Sequence, residues 1–260
     1  MTISALERAA RTDPGILVRL LQLTSPTLPV GGFSYSQGLE AAVESGYLRS
    51  AAQVGDWLRG LIAGPVGHAE AEWVARMLRA WRQAPDPAVL ARLDALYQAS
   101  REGSQLLAET RQMGWSMISL LKTLPPGLAG PGLAELLPWL LALADRQPPC
   151  YPLAWSCLAV GMGIDDLAAL QGWLWSWLEN QVMAALKTVP LGQSAGQALL
   201  LELGALLAPT AADALARASR GEVARDPAAV EDDDGPGNFA PGFALACTRH
   251  ETQYSRLFRS

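Results

Sequence analysis

The apolar residues of this chain are dominated by Leu and Ala, and Val and Ile together number only 17 of 260. Straight-chain and small side chains keep their rotamer freedom in a helix, whereas a sheet draws on β-branched ones. That inventory predicts an all-α protein. Half of the residues are apolar, which at this length supports one domain with a substantial core. A single-domain helical bundle of about ten helices is therefore expected over 1–220. From Gly221 to Gly242 the composition changes to three prolines, Glu231-Asp232-Asp233-Asp234 and GPGNFAPG, too poor in apolar surface to hold one conformation. Residues 221–260 are accordingly set apart as a mobile segment and a flexible C-terminal tail.

Periodicity and Pro or Gly punctuation place helices at Ile16 to Leu23, Ala51 to Ile62, Ala69 to Trp81, Pro87 to Arg101, Ser104 to Leu121, Leu133 to Leu143, Leu153 to Val160, Asp166 to Lys187 and Gly192 to Leu207. In the Asp166 to Lys187 segment, Leu167, Leu170, Trp173, Leu174, Trp177, Leu178 and Met183 form the core-facing stripe, and Trp175 and Val182 widen it. Such a helix sits centrally or touches a second subunit. Between the first two helices lies PTLPVGGFSYSQGLE, Pro26 to Glu40. Ser34 and Gln37 have the spacing of a capping box, after which Tyr35, Leu39, Ala42 and Val43 share a helical face that Gly46 ends. The paired glycines supply positive φ or close backbone approach, with Phe33 and Tyr35 displayed beside them.

The tail CTRHETQYSRLFRS interleaves Arg249, Arg256 and Arg259 with Tyr254, Leu257 and Phe258. Aromatic and aliphatic anchors among arginines suit a segment that docks on another surface.

Charge and motif content exclude several activities. The chain has 20 basic and 25 acidic residues, and its arginines are scattered rather than gathered into a stripe that follows a phosphate backbone, so nucleic acid is not an expected partner. The apolar run Pro148 to Ile164 is broken by prolines and glycines and falls short of the about 20 residues of a membrane span. The first residues lack the charge-then-apolar order of a secretory signal, and Cys150, Cys157 and Cys247 have no paired spacing, which together suit a cytoplasmic protein with reduced thiols. No P-loop pattern occurs, and Lys122 and Lys187 are the only lysines.

GQSAG, Gly192 to Gly196, matches the nucleophile-elbow pattern, and Ser194, Asp232 and His250 follow the chain order of an α/β-hydrolase triad. The elbow requires a strand feeding a strained turn, which these residues do not supply. Cys247 lies three residues before His250, but three or four donors are needed for a zinc or nickel site. The 231–234 acidic run reads as a solvated loop rather than a magnesium-diphosphate site. No catalytic residue, bound metal or cofactor is expected.

SPTLPVGGFSYSQGLE, WLENQVMAALKTVPLGQSAGQALL from Trp177 to Leu200, and the terminal HETQYSRLFRS together resemble the urease accessory protein UreF family, and weaker likeness runs through SREGSQLLAETRQMG and PPCYPLAWSCLAVGMGI. The resemblance implies a non-enzymatic, all-α cytosolic homodimer that joins UreD (UreH in some systems) and the GTPase UreG to deliver nickel to apo-urease. It also implies three partner-binding groups. Pro29, Gly31, Gly32, Phe33, Tyr35 and Glu40 form a partner-facing loop, and Pro190, Leu191, Gly192, Gln193 and Gln197 a second patch. Arg249, Tyr254, Arg256, Leu257 and Phe258 form a docking tail. Family members often carry His where this chain has Cys150 or Tyr151. A second reading of the resemblance has an arginine of this chain acting on the UreG site as a finger.

Overall fold

The computed structural model describes residues 15–124, 130, 132–145, 147–220 and 235–260. Among these residues all regular secondary structure is helical, as the Leu- and Ala-rich composition predicts. The helices are α1 (Ile16–Thr24), α2 (Leu39–Glu44), α3 (Ala51–Ala63), α4 (Ala71–Arg82), α5 (Pro87–Ala99), α6 (Ser104–Thr123), α7 (Leu133–Ala144), α8 (Tyr151–Gly161), α9 (Asp166–Thr188), α10 (Gln193–Gly204), α11 (Leu207–Arg220) and α12 (Pro241–Thr252).

The core forms around α8, which is buried on nearly its whole circumference because α4, α6 and α7 all pack on it. A helix enclosed in this way has no polar face to offer, which is why YPLAWSCLAVG carries no charge. Trp81 on α4 is fully buried and donates its indole N–H to the Leu153 carbonyl at 3.0 Å, so the large ring is placed without leaving a polar orphan. The long helix α9 packs on α1, α2, α4, α10 and α11. Asp165 caps it by accepting the Ala168 N–H at 2.9 Å, and Ser50 and Asp86 cap α3 and α5 in the same way.

Several expectations are corrected. Ser34 does not cap a helix: Gly32–Ser34 is a single 3-10 turn, and the helix begins only at Leu39, after Gly38 at φ 77°. The helix expected from Ala69 is preceded by a π-helical turn, Pro65–Glu70. Leu167 and Met183, assigned to the core stripe of α9, are exposed, while Val182 is buried.

The helix expected to run to Leu207 stops at Gly204, and α11 follows after a turn at Ala205 and Leu206. By length and apolar content the run Gln193–Arg220 could cross a bilayer. Here it is interrupted at that turn and packed on α9 and α4, and Arg217 donates to the buried carboxylate of Glu72 at 3.0 Å. Sequence reading missed α11 because its buried residues after Leu207 are Ala211, Ala214 and Ala218, small side chains that give a faint apolar signal.

Of the segment expected to be mobile, residues 221–234 lie outside the described residues. Pro241–Thr252, at its end and beyond, is the helix α12, packed on α2 and α6.

Candidate functional site

The last residues close over the Pro26–Gly38 loop, and backbone groups make most of the joint. The Ser260 main-chain oxygen accepts the N–H groups of Ser36 at 2.8 Å and Gln37 at 3.0 Å and the Ser36 hydroxyl at 2.6 Å, while Arg259 N–H donates to the Ser34 carbonyl at 2.7 Å. Glu40, on the first turn of α2, accepts the N–H of Leu257 at 2.7 Å on Oε1 and that of Phe258 at 3.0 Å on Oε2. His250 of α12 adds its Nε2 to the same Oε2 at 3.0 Å and faces Gln105 Oε1 with Nδ1 at 2.8 Å. These bonds give the backbone donors of Ser36, Gln37, Leu257, Phe258 and Arg259 partners in an irregular segment.

Three neighbours complete the joint. Phe258 is 5% exposed and lies under the Lys187 ammonium, 5.5 Å from its ring centroid. The α9 side chains Trp177 and Asn180 fix the loop from below, donating to Gln37 Oε1 at 2.9 Å and to the Tyr35 carbonyl at 2.9 Å. At the far end of α12, Glu251 accepts from the Ser104 hydroxyl at 2.9 Å and from Gln105 N–H at 3.3 Å, supplying the cap that α6 lacks from its own flanking residue Gly103. Those hydrogen bonds hold the Glu251 carboxyl below its ordinary value.

Beneath the loop lies a cavity of about 140 Å³ whose walls include Gln37, Tyr97, Arg101, Glu109, Tyr151, Trp173 and Trp177. Tyr97 donates to Glu70 at 2.7 Å, and Arg101 pairs with Glu70 and lies over the Tyr97 ring at 4.0 Å. Tyr151 stacks on Trp173 with ring centroids 5.2 Å apart. Burial raises the Tyr97 and Tyr151 hydroxyls well above their ordinary range. Glu109 sits on the apolar face of α6 between Leu106 and Met113, and burial pushes its carboxyl up to about 7 against the opposing pull of its bonds to Gln37 and Ser260.

The partner-binding residues expected from the sequence divide by exposure. Pro29, Gly31, Pro190, Gly192, Gln193, Gln197, Arg249, Tyr254, Arg256 and Leu257 are exposed, and Gly32, Phe33 and Leu191 are half-buried. Tyr35, Glu40 and Phe258 are buried, so in this state they shape the surface from beneath. Tyr35, read as displayed, instead has its hydroxyl raised by burial, with an opposing hydrogen bond from Arg259. Loop and tail are brought together; among the described residues no hydrogen bond ties the Pro190–Gln197 patch to either.

Sequence reasoning missed Ser36, Gln105, Glu109, Trp177, Asn180 and Ser260. Only Glu109 carried a legible signal, as an acid on an apolar helical stripe.

The competing chemistries lose their geometry. Ser194 is exposed in the first turn of α10, with no strand before it. Both ring nitrogens of His250 are engaged elsewhere, and Asp232 lies outside the described residues. Cys247 is buried, and among the described residues no group of three or more His, Cys, Asp or Glu side chains is placed to hold a metal ion. Cys150 and Tyr151, at the positions where the resemblance implies histidine, are a buried thiol and the aromatic wall just described.

A family model described as UreF matches residues 48–204. The urease accessory protein UreF of Dechloromonas aromatica (strain RCB) is 47% identical over 246 residues, covering 94% of this chain and 97% of that protein. That of Azoarcus sp. (strain BH72) is 46% identical over 244 residues, 94% and 95% of the two chains. A bifunctional urease accessory protein UreEF of Bordetella bronchiseptica is 41% identical over 248 residues, 95% of this chain and 53% of that longer protein. The body, helical among the described residues, thus meets a family match over most of its length, and the chain belongs to the UreF family of urease accessory proteins, with a role in urease maturation.

Proposed function

We propose that this chain is a scaffold that bridges UreD (UreH) and the GTPase UreG while nickel enters apo-urease. UreF-family members are accessory proteins and not enzymes, so the activity to explain is recognition. On this reading two copies associate and work in the cytoplasm, nickel is cargo passed between partners, and neither nucleic acid nor membrane takes part.

One observation carries the reading. The loop and the tail, more than 200 residues apart in sequence, are bonded into a single surface that leaves Tyr254, Leu257, Arg249 and Arg256 exposed while burying Phe258 and Glu40. Exposed aromatic, aliphatic and guanidinium groups on a backbone already fixed lose little further entropy on binding. The relative from Bordetella bronchiseptica, named as a bifunctional UreEF, supports a place beside other urease accessory proteins.

The test is co-purification of the full chain with UreD and UreG followed by mass measurement in solution. A complex with two copies of this chain and both partners is the expected result. Recovery of the chain alone, under conditions where UreD and UreG are folded, would sink the bridge.

A second reading rests on Arg249 and Arg256, whose guanidinium groups are exposed and have no side-chain partner among the described residues. An arginine in that condition is available to enter a GTPase site and stabilise charge developing on a phosphate. GTP turnover by UreG measured with the wild-type chain and with Arg249→Ala and Arg256→Ala separates the readings: unchanged hydrolysis leaves scaffolding alone.

A further inference from the structure

Glu109 bonds both the loop and the tail and itself lines the cavity. Its Oε1 receives Gln37 Nε2 at 2.7 Å, its Oε2 lies 2.8 Å from Ser260 Oγ, and the residue borders the cavity beneath the loop. The proton positions follow from the donors. Trp177 Nε1 can only donate, and it meets Gln37 Oε1 at 2.9 Å, so the Gln37 amide must turn its NH2 toward Glu109. Oε1 is therefore an acceptor, and Oε2 accepts the Ser260 hydroxyl when the carboxyl is ionised and donates to it when the carboxyl is neutral.

We propose that Glu109 is a proton-controlled latch: the neutral acid keeps residues 257–260 seated on the 34–37 loop, and ionisation favours their release, uncovering the seat of Phe258. Both of Glu109's hydrogen-bond partners are neutral, so no cation compensates a buried negative charge by direct contact. The charged and titratable groups around it come from the π-helical turn, the segment before α6, α2, α12, the loop and the tail. Glu70 lies in the π-helical turn and Arg101 just before α6, and these two are paired with each other. Cys247 faces it from α12, and Tyr35 from the loop, itself bonded to Arg259 of the tail. His250 and Glu40 are committed to one another. Ser260, 2% exposed, covers Oε2, so lifting the tail admits water to the carboxylate.

The direction follows from linkage. A carboxyl raised in the closed form and ordinary in the open form favours closure most below 4.5, and that advantage is lost as pH climbs through about 7. Those two values make the open fraction rise by about 25-fold between about pH 5.5 and about pH 8.

Hydrogen–deuterium exchange of the 253–260 peptide, corrected for intrinsic exchange at each pH, tests this in the full chain beside Glu109→Gln. The glutamine reproduces the neutral acid, accepting from Gln37 and donating to Ser260. Wild-type protection is expected to fall about 25-fold over that range while the variant changes by less than about threefold. Equal pH dependence in the two proteins, or a wild type without any, overturns the latch. Should the variant fail to fold, a carbon-13 titration of wild-type glutamate carboxyls decides. One carboxyl titrating near neutrality in step with the tail amides supports the proposal; all of them titrating in the ordinary range refutes it.

Discussion

His250 Nε2 and Glu40 Oε2 stand 3.0 Å apart across 210 residues of sequence, and the same carboxylate collects two backbone N–H groups from the tail. Glu40 is thereby the point at which α2, α12 and the last residues of the chain are fastened together. A carboxylate with three donors around it satisfies groups that would otherwise be buried without partners.

Glu40→Ala should therefore cost about 3 kcal/mol or more in urea unfolding, because it leaves two backbone donors and a buried imidazole unmatched. Glu40→Gln keeps one acceptor oxygen and should lose less. Exchange at 257–260 should increase in both variants, with the larger increase in the alanine.

Gly38 and Gly31 make an internal comparison. Both have positive φ, 77° and 80°, but a Cβ on Gly38 would meet Cys247 N at 3.0 Å and Ala246 Cβ at 3.1 Å, whereas one on Gly31 meets nothing within 4 Å. Gly31→Ala should cost about 1 kcal/mol from backbone strain, and Gly38→Ala about 2 kcal/mol more as α12 is pushed from α2. Denaturant midpoints of the two variants check the difference.

Partner capture should follow the exposed part of the tail. Tyr254→Ala with Leu257→Ser alters only exposed side chains, so the melting temperature should hold within about 2 °C. Affinity for UreD should drop by about tenfold or more if these are anchors. Deleting 249–260 is a poorer experiment, since it also removes His250 and Phe258 from the interior.

The three cysteines should be inert in the folded protein. Cys150, Cys157 and Cys247 are all buried and burial raises each thiol well above its usual value, so the thiolate that reacts is scarce and out of reach. Modification by a disulfide reagent at neutral pH should be about a hundredfold slower than in denaturant, where all three react.

Much of the helical body was legible because its signals are local. Pro87 behind Asp86 and the Asp165 cap mark starts, and α8 reads as a buried helix from YPLAWSCLAVG alone. The loop was misread at Ser34 because its conformation is set by distant partners: Ser260 claims the backbone of Ser36 and Gln37, and Trp177 claims the Gln37 side chain. A capping-box spacing has no defence against such competition. The arginines and aromatics of the tail read as a segment that docks on another surface; that residues 257–260 instead bond to their own chain depends on Glu40 and Glu109. Nothing local marks Glu40 as an acceptor for residues more than 200 positions away.

The strap over the loop also sets an order of events. A nascent chain emerges with residues 34–37 long before 257–260 exist, and those early residues acquire their final hydrogen bonds only when the late ones arrive. A product broken off upstream of residue 257 would keep the Trp177 and Asn180 bonds to the loop but lack those of Arg259 and Ser260 to residues 34–37, so the joint closes only after synthesis has passed these last positions.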